Sequence, residues 1–404
     1  MPLVGRIAGR QPDTLADGWF ARPTHEGIPI MNGPRYDVIV AGLGPWGAAT
    51  CWHLARRGLR VLGLDRYAPP HGHGSHGGST RLARRSNSTG PEYLPLTTRT
   101  FQLWRELGAA VGQDLLVESG TVFVGRAGSG WFDRTLESLT VAGEIEHEVL
   151  DAAAARQRFP EFGIADDEVA VFEPGGTVAL VQDGIRALHS EAIRHGATLR
   201  YNEPLESFAE LEDGVDVRTS SATYQADVLV VATGAWTGRL LGLDIPVTVE
   251  RQVMFNFAVT ADTSPAQAVY FSAPPGDDSA PFYGCPEPDG SFKVSLPSRG
   301  VAIDPDDLGD RPPTAQELAD VRAHLRERIP GLDGEPIRAT ACMWSEVDDG
   351  HWIIGRHPEH SRIVFGAGCM GRGFRYGPVV GEALADLATG TERPDMKIFS
   401  PDRL

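Results

Sequence analysis

The stretch Tyr36-Asp-Val-Ile-Val-Ala-Gly-Leu-Gly-Pro-Trp-Gly, ending at Gly47, decides the fold. Tyr36 to Ala41 is a short apolar run ending at a glycine, the pattern of a strand buried on both faces. Ala48 to Arg57 follows as a helix, with Gly58 placed to stop it. Leu59 to Leu64 is a second apolar run, closed by Asp65. Strand, glycine turn, helix and strand in this order make a β-α-β unit, whose strands run parallel through a right-handed crossover.

The turn Gly42-Leu43-Gly44-Pro45-Trp46-Gly47 fits GxGxxG. Gly42 permits the tight turn, Gly44 lets a pyrophosphate approach the backbone, and Gly47 allows helix and strand to pack closely. The helix N-terminus offers free N–H groups and a partial positive charge to phosphates. Asp65, at the end of the second strand, is placed to accept from ribose hydroxyls and disfavours a 2′-phosphate. These residues predict a bound dinucleotide and leave FAD and NAD both open. A second match, Gly366-Ala367-Gly368-Cys369-Met370-Gly371, also follows a strand, but no strand ending in an acid follows it. It reads as a loop approaching a ligand, so a separate NAD(P)H site is not supported.

Further along, Leu180 to His195 is an amphipathic helix closed by Gly196, and Ala197 to Tyr201 a strand. Val215 to Arg218 and Thr223 to Ala226 suggest an antiparallel meander, and Asp227 to Thr233 a separate apolar strand. Between Ile245 and Arg338 turns such as Glu287-Pro-Asp-Gly separate short strands. A helix there starts at Thr314, which has capping-box spacing to Glu317, and ends at Pro330. Arg362 to Phe365, a glycine-rich loop and the helix Val379 to Ala388 return to α/β pattern. The expected class is α/β: a Rossmann-like dinucleotide-binding domain (36–118, 178–245 and 338–404) interrupted by a strand-rich substrate domain (119–177 and 246–337). Residues 1–35 lack periodicity and read as a disordered or non-native extension, with Met31 an alternative start.

With 404 residues and a net charge of −17, the chain is not built to neutralise nucleic-acid phosphates. If its ligands are anions, arginines must gather in the cleft against that field. No apolar run is long enough to span a bilayer. Cys51, Cys285, Cys342 and Cys369 form neither a CxxC pair nor a disulfide framework, so the cytoplasm is the default compartment. The histidines between His71 and His76 lack a completing carboxylate or cysteine, and no metal is expected.

Several separated blocks resemble the sarcosine oxidase and N-methyltryptophan oxidase family of FAD-dependent amine oxidases. They are the fingerprint with Asp65, Pro69 to Arg81, Val230 to Trp236, Ala341-Cys-Met-Trp344, and Gly371-Arg-Gly-Phe-Arg375. The resemblance runs from Tyr36 to the C-terminus and implies FAD, attached through the Cys342 thiol. On the cofactor side it adds Arg66, Ser75, His76, Thr80, Arg81, Thr233, Gly234, Trp236, Met343, Gly371, Arg372, Gly373, Phe374 and Arg375 to Gly42, Gly44, Pro45, Trp46, Gly47 and Asp65. Lys293 falls where the family keeps a lysine against the flavin's central ring, a fixed cation for oxygen activation; the local apolar-Lys-apolar alternation leaves its face open. Arg84 and Arg375 stand where two cations close on the substrate carboxylate, Arg375 replacing a lysine. Tyr283 resembles a tyrosine lining the substrate pocket. Cys51 and Cys369 read as packing residues, and Cys285 has no assigned role.

Sarcosine-oxidising members carry histidine where this chain has Pro297, Arg372 and Gly77. These departures touch the substrate side and point away from sarcosine itself. The implied reaction is oxidation of a secondary or cyclic amino acid to an imine, with O2 reduced to H2O2 and with a biosynthetic intermediate among the possible substrates. Family precedent makes the protein a monomer. A flavin dehydrogenase with a non-oxygen acceptor and a non-catalytic flavin-binding protein are the alternatives.

Overall fold

A computed structural model describes residues 32–143, 145–259, 265–277, 281–296, 302–307, 312–332 and 334–404. Residues 1–31, with Met31, and Pro297 lie outside the described residues.

The first strand, Asn32–Ala41, begins before Tyr36 and is the centre of a sheet of eight strands. It pairs in parallel with Val61–Leu64 on one side and Thr223–Val231 on the other. Thr198–Arg200 and Ile363–Ala367 extend the parallel region, and Val38 to Ala41, Val61 to Leu64 and Leu229 to Val231 are buried on both faces. This is the expected β-α-β unit, widened.

One boundary differs. Thr223–Val231 is a single strand, where the residues suggested a break at Asp227. Its first half pairs antiparallel with Gly214–Arg218, and its second half pairs in parallel with Ile363–Ala367. Asp227 sits where the partners change, and Arg35 takes its carboxylate at 2.7 Å. The mid-strand charge is thus neutralised and ends nothing. The helix Pro45–Arg56 runs back over this sheet and packs against the helices Val181–Arg194 and Gly377–Ala388.

A second sheet, also of eight strands, is mostly antiparallel. Two long strands, Val247–Phe257 and Pro336–Val347, pair along their whole length and place Cys342 opposite Gln252. Phe292–Ser295 continues the sheet, with Lys293 opposite Asn256 on one side and Cys285 on the other. Phe255, Phe257, Phe271, Phe282 and Phe292 fill one core with Val321, Leu325 and Ile329 of the expected helix. That helix, Ala315–Arg328, carries the full capping box between Thr314 and Glu317. A small sheet of Thr80–Ala83, Thr177–Leu180 and Leu116–Glu118 carries Arg81 and leads into Arg84. No helix among the described residues is long and apolar enough to cross a membrane.

Candidate active site

A cavity of 480 Å³ opens at the carboxyl ends of the parallel strands, where Ala41, Leu64 and Ala232 line it, and faces Gln252, Met254 and Cys342 of the long antiparallel strands. Ligands of open α/β sheets bind at such an edge. The glycine turn forms one wall. Gly42 has φ +88°, and a Cβ there would lie 2.5 Å from the Ala232 carbonyl oxygen. A Cβ at Gly47 would lie 1.8 Å from the Gly42 oxygen, so Gly47 serves packing beneath the cavity. Gly44 caps the helix and offers its first turn no side-chain acceptor, leaving those N–H groups for a ligand.

The turn is clamped through Leu43. Its N–H donates to Asp65 Oδ2 at 2.6 Å, and its carbonyl accepts from His189 Nε2 at 2.9 Å. His189 Nδ1 in turn accepts from the Tyr201 hydroxyl at 2.9 Å. The second Asp65 oxygen accepts the Tyr67 N–H at 2.8 Å. Asp65 therefore shapes the loop, and each oxygen keeps acceptor capacity beside the cavity it lines. Burial pushes its carboxyl up, but His71, 3.6 Å away, and hydrogen bonds from the Tyr67 and Leu43 N–H groups hold it below the usual range.

The same cavity is lined by Pro45, Trp46, Arg66, Ser75, His76 and Arg81 from the N-terminal part. Thr233, Gly234 and Trp236 line it from the middle of the chain, and Tyr283, Met343, Gly371, Gly373 and Phe374 from later segments. Trp46 Nε1 donates to the Gly373 carbonyl at 2.9 Å, tying the two glycine-rich loops together. His76 is buried, its Nε2 has no partner, and burial pulls it down to about 3. Unpaired buried polar atoms in a lined cavity await a polar ligand. A glycine cradle, uncapped helix amides and a ribose-side acid together fit a flavin dinucleotide.

Cys342 is 4% exposed and lines the cavity. A Cβ at Gly77 would lie 3.7 Å from the Cys342 Cβ, so the histidine- and glycine-rich loop sits over the thiol. Burial pushes this thiol up, and the Arg81 charge works the other way. All four cysteines are free.

A smaller cavity, 60 Å³, adjoins the first and shares Arg81, Gly371 and Phe374 with it. Arg84, Arg372, Arg375 and Tyr270 complete it with Leu82. Arg84 is 6% exposed and lies 4.9 to 5.2 Å from the ring centres of Tyr270, Trp131 and Phe123. It donates to the Ser86 carbonyl at 2.9 Å, while its Nε has no partner. Burial lowers its pKa, and neighbouring Arg375 adds to the drop. Arg375 donates to the Arg84 carbonyl at 3.0 Å, and its own carbonyl is anchored by Thr100 and Trp104. Its Nε is also unpaired. Among the described residues neither arginine makes an ion pair.

Lys293 and Thr80 line neither cavity. Lys293 is 3% exposed, as buried as Phe292 and Val294, which face the apolar core; its polar partners settle its face. Its Nζ donates to the Thr80 carbonyl at 2.7 Å and to the Thr80 hydroxyl, and pairs with Glu287 Oε1 at 2.9 Å. The Thr80 hydroxyl also donates to Glu287 and lies 3.8 Å from Cys285 Sγ. Burial pushes the Glu287 carboxyl up, but the Lys293 charge and hydrogen bonds to the carboxylate together hold it below the usual range. Sequence reasoning took Glu287 only as a turn residue; an acid across a hairpin from a strand lysine was the available signal. It also missed Tyr270, which pairs with Tyr283 across neighbouring strands, and the clamp residue His189. Among the described residues no cluster of His, Cys, Asp or Glu could hold a metal ion.

The family model described as FAD dependent oxidoreductase matches residues 37–387. Monomeric sarcosine oxidase of Streptomyces avermitilis is 38% identical over 387 residues, 92% of this chain and 98% of that protein. N-methyl-L-tryptophan oxidase of Salmonella agona is 31% identical, over 88% of this chain and 95% of that one. Among solved structures the open form of NikD, "an unusual amino acid oxidase essential for nikkomycin biosynthesis", matches with TM-score 0.80 at 26% identity, covering 91% of this chain and 98% of that one.

Proposed function

Because the chain belongs to the FAD dependent oxidoreductase family, we propose that it is an FAD-dependent oxidase of a secondary or cyclic amino acid. One observation carries the reading: Arg84 and Arg375, buried and without a carboxylate among the described residues, share a small cavity that adjoins the dinucleotide cavity. The relatives support it, being named for sarcosine and N-methyl-L-tryptophan, both N-methyl amino acids.

The fingerprint, Asp65, Ser75, His76, Arg81, Thr233, Trp236, Met343, Gly371, Gly373 and Phe374 would hold FAD, and Cys342 would tether it. Bound FAD supplies a two-electron acceptor that takes a hydride equivalent from the carbon beside nitrogen and passes both electrons to O2, giving H2O2. Arg84 and Arg375 fix the substrate carboxylate, and two guanidiniums can do so with parallel hydrogen bonds that orient the carbon chain. Their charge also lowers the pKa of a nearby ammonium by repulsion, favouring the neutral amine. The aromatic wall of Phe123, Trp131 and Tyr270 keeps water from that charge. Lys293 is the oxygen-side cation. A second reading, a dehydrogenase with another acceptor, draws on Glu287, which offsets the Lys293 charge.

The same reading assigns 36–118, 178–245 and 338–404 to FAD binding and 119–177 and 246–337 to the substrate, in a cytoplasmic monomer. Acid denaturation tests the tether: yellow colour should stay with the wild-type pellet and leave it in Cys342→Ala. Anaerobic bleaching of the flavin by N-methyl and cyclic amino acids, followed by stoichiometric peroxide in air, tests the reaction. No bleaching with any amine would sink the oxidase reading, and bleaching without peroxide would select the dehydrogenase.

A further inference from the structure

The 60 Å³ cavity holds more positive charge than one amino acid carboxylate can balance. Arg81, Arg84, Arg372 and Arg375 all line it, and among the described residues none of them makes an ion pair. Arg81 turns its donors to the Thr80 and Ser75 carbonyls, at 2.8 and 3.0 Å, and also lines the larger cavity. Arg84 and Arg375 serve one carboxylate. That leaves Arg372, which lines the smaller cavity and not the larger one.

Arg372 is held ready and left charged. Its Nη1 donates to the Thr89 hydroxyl and its Nη2 to the Gly350 carbonyl at 2.6 Å, while the guanidinium lies 5.3 Å from the Tyr93 ring centre. None of these partners is an anion. The Arg372 Nε is buried with no partner at all. The nearby acids are engaged elsewhere: Glu346 accepts from Trp344 Nε1, and Glu173 accepts the backbone N–H groups of Arg85 and Ser86 at 2.8 and 3.3 Å. Burial lowers the pKa of Arg372, a measure of how poorly its charge is compensated. Arg372 and Arg375 leave the same turn and line the same cavity, so one ligand seated there meets both.

We propose that the substrate carries a second anionic group and that Arg372 receives it, making the substrate class compact secondary amines with two carboxylates. This rests on the amino acid oxidation reading and narrows it. Arg372 is then a specificity residue: Arg84 and Arg375 orient the carboxylate of the oxidised amino acid, and Arg372 selects for the other.

The test uses purified holoenzyme and calorimetric titration with two thioethers in which sulfur replaces the amine nitrogen, so that nothing turns over. Thiodiacetate has two carboxylates, and (methylthio)acetate has one. Thiodiacetate should bind at least about tenfold more tightly, as expected for a charge-assisted contact. Arg372→Gln should erase that preference and leave (methylthio)acetate within about threefold of wild type, while Arg372→Lys should keep part of it. Equal affinities in the wild type, or a preference that survives Arg372→Gln, would overturn the proposal while leaving the oxidase reading intact. If neither thioether binds and no amine bleaches the flavin, both readings fall together.

Discussion

Two groups of buried cations stand in this molecule, and they are treated in opposite ways. Lys293 has its counter-charge built in, with Glu287 at 2.9 Å and Thr80 bonded to both. Arg84 and Arg375 are about as deeply buried, yet among the described residues they are given carbonyls, hydroxyls and aromatic rings and no carboxylate. A buried charge must be balanced. Where the chain balances it, the group is part of the resident structure; where it does not, the balancing ion comes from outside. The difference separates a site that tunes from a site that binds.

Removing Glu287 would break the balanced side most visibly. Glu287→Ala leaves the Lys293 charge buried alone, and urea unfolding should show a loss of about 3–5 kcal/mol. The double variant Glu287→Leu with Lys293→Met should recover most of it. A single variant as stable as wild type would mean that the pair is not the balance it looks like.

The unbalanced side should respond in reverse. Arg84→Met removes a charge that no ion pair among the described residues neutralises, so stability should move by no more than about 1 kcal/mol, the scale of the lost cation–π contacts. The value of kcat/KM for a carboxylated amine should fall by about 2–5 kcal/mol equivalent, roughly thirtyfold to several thousandfold. A large loss of stability with activity per folded molecule intact would invert the comparison.

Histidines sharpen it further, because they can refuse the charge. Burial pulls His53 and His76 from 6.5 down to about 3; His53 donates Nε2–H to the Pro378 carbonyl at 3.0 Å as a neutral ring. With folded values below unfolded ones, the unfolded chain takes up protons first as the pH falls. Stability is therefore full above about pH 6.5 and is lost between there and pH 3, at about 1.4 kcal/mol per pH unit for each ring. Denaturation at pH 7 and pH 5 samples the upper part of that fall, and His53→Gln should flatten the slope. An unchanged slope in that variant would remove His53 from the account.

Much of this was legible in the residues. Gly42, Gly44, Gly47 and Asp65 announce their cavity because the constraint is local: a tight turn, an open helix end and a strand-ending acid are all written within one β-α-β unit. The capping box at Thr314 and the stop at Pro330 are legible for the same reason. Asp227 misled because a charge inside an apolar run looks like an end, and its neutralising partner Arg35 is remote in sequence. Gly47 and Asp65 carried a further duty the motif does not spell out, since packing and the clamp on Leu43 are fixed by neighbours from other elements.

The amino-acid sequence by itself determined the parallel α/β core and its dinucleotide turn, because glycine geometry and apolar periodicity act over a few residues. Only the tertiary structure decided which way Lys293 faces, that Glu287 meets it, and that Arg84, Arg372 and Arg375 converge on one cavity with no acid among its described lining residues. Charge balance is set by distance through space, and residues far apart in sequence carry no mark of the partner that folding brings to them or withholds.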